Sequence, residues 1–65
     1  MIDYGKSIKE YREKQFLTQE QLAKILGVSN VTISRWETGS FEPNMAMKKK
    51  LFMLFEEAGM RAFHE

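Results

Sequence analysis

Apolar residues recur every third or fourth position in four stretches of this chain, separated by polar or glycine-bearing breaks, and that spacing predicts helices. Tyr4, Ile8, Tyr11 and Gln15 fall on one face of a first helix over about Tyr4 to Lys14, with Asp3 able to cap its start. Leu22, Ala23 and Leu26 mark the inner face of a short second helix that begins behind Thr18. Gln21 holds its capping-box position and Gly27 its end. Ser29 caps a third helix, in which Ile33 and Trp36 lie three apart and face inward. The segment SFEPN is a loop that Pro43 stops, and Asn44 or Pro43 opens a fourth helix over about Met45 to Glu57. Met47, Leu51, Leu54, Phe55 and Ala58 share a face of it, and Gly59 ends it. MRAFHE has room for one more helical turn. The expectation is an all-α bundle of four, at most five, short helices with one core of Ile8, Leu22, Leu26, Ile33, Trp36, Leu51 and Leu54. Trp36 should be largely buried.

The second and third helices meet at a corner. Gly27 suits it because a residue just past a helix end often needs positive φ, and Ala23 is small enough to let the two backbones approach. With Ile33 and Trp36 inward, the third helix turns Val31 and Ser34 outward, flanked by Asn30 and Arg35. That outer face carries no acid. An amide, a hydroxyl, a guanidinium and an exposed pair of methyls suit the reading of base edges in a major groove. Arginine can bond guanine bidentately, asparagine can bond adenine, and an aliphatic side chain can meet the thymine methyl.

From Leu17 to Gly39 the chain reads LTQEQLAKILGVSNVTISRWETG, which resembles the helix-turn-helix of the phage repressor and Cro family, also called the XRE family. The matching residues are Gln19, Ala23, Gly27, Ile33 and the ending Trp36, Glu37 and Gly39. With Arg12 and Glu42-Pro43 the resemblance covers about residues 6 to 55. It implies a lambda-repressor-like fold and a transcriptional regulator, bacterial or phage-encoded and associated with the nucleoid. It also implies that Arg12 pairs with Glu37, tying the first helix to the end of the third, where the residues alone would allow a plain surface arginine. One position departs from the family pattern, which commonly has glycine where Phe16 stands. A left-handed Phe costs on the order of 1 kcal/mol, so the bend is expected to have shifted, or Phe16 to be buried in exchange.

Composition narrows the classes. Sixty-five residues allow a single domain spanning 1–65. Cysteine is absent, which excludes disulfides and thiolate metal sites. The longest apolar run, Leu51 to Phe55, is too short for a membrane span or a signal-peptide core, and a cytoplasmic location is expected. Net charge is only +1, but residues 1 to 50 hold nine Lys or Arg against six Asp or Glu, while 51 to 65 hold one against three. An anionic partner should meet the first three-quarters of the chain. No chemistry for catalysis is assembled: His64 sits beside the C-terminus, Glu56 and Glu57 point in different directions, and neither a phosphate-cradling loop nor metal-ligand spacing occurs. A non-enzyme without cofactor is expected.

Two functions of different class remain. The first is a sequence-specific binder of double-stranded DNA, acting as a repressor, with the third helix in the major groove. Asn30, Val31, Ser34 and Arg35 would read bases. Thr18, Gln19, Ser29, Thr32 and Asn44, with one or more of Lys48, Lys49 and Lys50, would hold phosphates. A homodimer on a palindromic operator is expected, because one short helix offers few base contacts. The second is a protein-interaction module on the same scaffold, such as an antitoxin or anti-regulator, for which the uncommitted Met45, Phe52, Met53, Met60 and Phe63 speak. A polar, acid-free recognition face favours the first, since a protein hot spot would show aromatics there.

Overall fold

The computed structural model describes residues 4–60, and all of its regular structure is helical: α1 Tyr4–Lys14, α2 Gln19–Leu26, α3 Asn30–Thr38 and α4 Met45–Glu57. The Asp3 cap, the turn expected in MRAFHE beyond Met60, Phe63 and His64 lie outside the described residues. Each predicted helix forms within a residue of its expected limits. The reason is visible at the ends: Thr18, Ser29 and Asn44 sit in extended backbone with their side-chain oxygens accepting from the N–H of Gln21, Thr32 and Met47. Gly27 closes α2 in the left-handed region at φ 76°, which makes the corner to α3 sharp.

The core is the one expected, with additions. Ile8, Leu22, Ile33, Leu51 and Phe55 are fully buried, Trp36, Leu26 and Ala23 nearly so, and Leu54 packs against them half-buried. Tyr11 tilts against Phe55 with ring centroids 5.6 Å apart. Burial, and secondarily the charge of Glu57, push the Tyr11 phenol above its ordinary pKa. Gln15 lies past the helix and is exposed, so the apolar stripe of α1 ends at Tyr11.

Three features depart from the sequence reading. Met60, expected among the uncommitted residues, is buried in the core. The chain reverses after α4, Met60 N–H bonding to the Phe55 carbonyl, and this swings the side chain back onto Phe55's side of the bundle. Phe16 neither moves the bend nor gains burial: it stays left-handed at φ 58° with 93% of its surface exposed. What holds the bend is Arg12. Its carbonyl accepts from Leu17 N–H at 2.8 Å, while its guanidinium donates to the Leu17 carbonyl at 3.1 Å. The turn is thus fixed from both sides, and Phe16 takes the conformation left to it. Finally, Gly5 brings α1 against the end of α3 so closely that a Cβ there would lie 2.5 Å from the Trp36 carbonyl oxygen and 2.9 Å from that of Glu37. No side chain fits in that gap.

Candidate nucleic-acid interface

The start of α2 and the whole of α3 are positioned by one acid. Glu37 is on α3, but its carboxylate is turned back toward α1 and is only 7% exposed. Arg12 Nε donates to Oε2 at 2.7 Å and Arg12 Nη2 to Oε1 at 3.2 Å, and Gln19 Nε2 adds a third bond to Oε1 at 3.1 Å. The bidentate fork holds the Arg12 guanidinium above its ordinary pKa, chiefly through the hydrogen bond to Glu37. Removing one partner from such a part-buried set leaves a charge without its bonds, which costs more than the set contributes net. Its geometric effect is direct: α1, α2 and α3 are clamped at one point, and the acid of α3 is withdrawn from the outer face.

That outer face carries the four side chains expected to read bases. Asn30, Val31 and Arg35 are exposed and Ser34 half-buried, along one side of α3 opposite Ile33 and Trp36. At the head of α3, Thr32 N–H donates to Ser29 Oγ at 3.2 Å and the two hydroxyls are 3.0 Å apart, which locks the first turn. No acid stands in that first turn, whereas α2 has Glu20 in its own. An anion is therefore better received at the start of α3 than at that of α2.

The residues expected to hold phosphates differ in how free they are. Thr18 is committed to a complete capping box, its N–H donating to Gln21 Oε1 at 2.8 Å and its Oγ1 accepting from Gln21 N–H at 3.1 Å. Gln19, expected to face a phosphate, spends an amide hydrogen on Glu37. Asn44 caps α4 through Oδ1. Lys48 is drawn to Glu42 at 3.2 Å and lies over the Tyr4 ring at 5.1 Å, while Lys49 and Lys50 are exposed and diverge around the helix. Lys49 borders a shallow groove with Tyr4, Met45, Phe52 and Met53; Lys50 borders another with Ile25 and Leu54.

Sequence reasoning missed one neighbour of this face. Phe41, in the loop after α3, stacks against Arg35, with the guanidinium carbon 5.3 Å from the ring centroid. The available signal was a glycine at the end of the helix with an aromatic two residues on. Among the described residues no group of acids or histidines could hold a metal ion, and no helix is long and apolar enough to cross a membrane.

A family model described as helix-turn-helix matches residues 8–56. The HTH-type transcriptional activator BcrR of Enterococcus faecalis is 39% identical over 54 residues, covering 83% of this chain and 26% of its own length. Repressor protein C2 of Salmonella phage P22 is 43% identical over 51 residues, 72% of this chain and 24% of its own. An HTH-type transcriptional regulator of Methanocaldococcus jannaschii is 44% identical over 48 residues, 74% of this chain and 73% of its own. The chain thus spans about a quarter of the length of the first two. No solved structure matched significantly.

Proposed function

The chain belongs to the helix-turn-helix family, of the phage repressor and Cro (XRE) type, and from that premise we propose that it is a sequence-specific DNA-binding repressor reading the major groove with α3. A module of this family binds rather than catalyses, and it is not an enzyme. The observation that carries the reading is the outer face of α3, which is polar, capped and relieved of its one acid by Arg12 and Gln19.

In this reading Arg35 donates to guanine O6 and N7, Asn30 meets adenine, Val31 meets the thymine methyl, and Ser34 contacts a neighbouring base directly or through water. Ser29, Thr32 and the free N–H groups of the first turn of α3 hold one phosphate. Thr18 with the start of α2, the second amide hydrogen of Gln19, Asn44, and Lys49 or Lys50 hold others. Lys48 contributes least, being held by Glu42 and Tyr4. Two copies bind a palindrome with their recognition helices about 34 Å apart, the exposed apolar side chains of α4 making the contact between them. Repression is the outcome where the operator overlaps a promoter, the role named for the phage relative.

Selection from random duplexes, with the affinity of the winning site measured against salt concentration, tests this. A palindromic consensus and a steep salt slope are expected. Enrichment of no sequence would remove the reading. A second reading is a protein-interaction module, favoured by Met45 and Met53 at 71% and 64% exposure. It requires a partner that binds equally well when Arg35 and Asn30 are replaced by alanine.

A further inference from the structure

We infer that Phe41 is a positioning residue for base reading: its ring fixes the Arg35 guanidinium, so the identity of residue 41 sets how strongly one base pair is discriminated. The inference rests on the reading of α3 as the base-reading helix. Gly39 ends α3 in the left-handed region at φ 82°, a conformation that side chains with a Cβ avoid. Gly39 N–H bonds to the Trp36 carbonyl, and the following Ser40 N–H bonds to the Arg35 carbonyl at 2.9 Å, with Phe41 N–H reaching the same oxygen at 3.4 Å. The loop is therefore hung on residue 35 itself. It returns Phe41 beside the side chain that leaves from that residue, and Arg35, Phe41, Thr32 and Trp36 enclose a recess of about 180 Å³.

The electrostatics around Arg35 leave the ring as its holder. Both carboxylates near it in sequence are engaged elsewhere, Glu37 with Arg12 and Gln19, and Glu42 with Lys48. The guanidinium carbon lies 5.3 Å from the ring centroid, and an aromatic face attracts the cation through its π cloud without taking up its N–H groups in strong hydrogen bonds. A carboxylate partner would instead consume the very edge that meets guanine O6 and N7. Stacking also narrows the rotamers of a long side chain before the DNA arrives, which lowers the entropy lost on forming the bidentate contact. Phe41 touches no base in this scheme; it acts through Arg35.

The test compares the wild type with Phe41→Leu, Phe41→Tyr and Arg35→Ala on the selected site and on its variants at the Arg35 base pair. Phe41 and Arg35 are both exposed, so all five chains, the double variant included, are expected to melt alike. Phe41→Leu, which keeps an apolar side chain but removes the ring, should lower the preference for guanine at that position by about two- to fivefold, with the salt slope and every other position unchanged. Phe41→Tyr should restore it, and Phe41→Leu added to Arg35→Ala should change nothing further. In the free protein, the ring-current shifts of the Arg35 side-chain protons should fall in Phe41→Leu to the part that Trp36 contributes, and be kept in Phe41→Tyr. Unmoved Arg35 signals would overturn the inference without reference to DNA. So would equal loss for all sequences, which makes Phe41 a backbone contact, or tighter binding by Phe41→Leu, which means Arg35 must leave the ring to bind. Unchanged guanine preference in a chain that still selects a site overturns this inference alone, whereas a wild type that selects no sequence overturns it together with the function proposed above.

Discussion

Two outward faces of this small bundle are built on opposite principles. On α3 the face is polar, and the one carboxylate of the helix has been drawn behind it and bonded three times. On α4 the face is apolar, with Met45, Phe52 and Met53 exposed beside Lys48, Lys49 and Lys50. The α3 face, Val31 apart, is made of side chains that water solvates well, and its carboxylate does not occupy the donors of Asn30 and Arg35. The α4 face leaves Met45 and Met53 largely exposed, which is unfavourable in a domain whose core is already small, and it is the surface that the dimer proposed above would use. The two are also held differently: α3 is clamped to α1 and α2 by the hydrogen bonds of Glu37, whereas α4 is held by its buried Leu51 and Phe55 and its outward side chains border shallow grooves.

The largest expected effect comes from separating α3 from its support. Gly5→Ala places a Cβ against two backbone carbonyls that cannot rotate away, and should destabilise the fold by about 2–3 kcal/mol or more, read as loss of cooperative thermal unfolding near ambient temperature. Next, Glu37→Ala frees Arg12 and Gln19 together, and should cost about 2 kcal/mol of folding stability by denaturant titration. Arg35→Ala should leave that titration unchanged yet cost ~1–3 kcal/mol of binding at one base pair, so the two residues separate scaffold from reader on the same helix.

The α4 face fails differently. Met53→Glu, at an exposed position, should leave stability within about 0.5 kcal/mol. On the selected operator it should convert two bound protomers to one in sedimentation, and two protomers bound as before would transfer the dimer interface to another surface. Replacing Lys49 and Lys50 with alanine should reduce the salt slope by about one for each phosphate that a lysine had neutralised, and Lys48→Ala should reduce it less, because Glu42 already holds that ammonium. The smallest effect is a gain. Phe16→Gly relieves a left-handed Phe but loosens the unfolded chain, a net stabilisation of about 1 kcal/mol or less, or a few degrees in Tm.

Sequence alone determined the helices, their ends, the corner at Gly27 and the four side chains on the outside of α3, because caps, glycine stops and 3.6-residue periodicity are local and act within a few positions. Val31 and Arg35 were legible for that reason. Tertiary structure decided whatever depends on residues far apart in the chain. Gly5 gave no signal as a packing residue, since the carbonyls that exclude a Cβ belong to Trp36 and Glu37, distant from it in sequence. Met60 read as an uncommitted residue until the reversal after α4 returned it to the core. Phe16 looked as if it should yield, yet Arg12 fixed the bend from both sides. Whether Gln19 has a free amide, whether Lys48 is available, and that Phe41 lies on Arg35 were likewise settled by packing. A periodic pattern specifies which way a side chain points; only the folded chain specifies what it meets there.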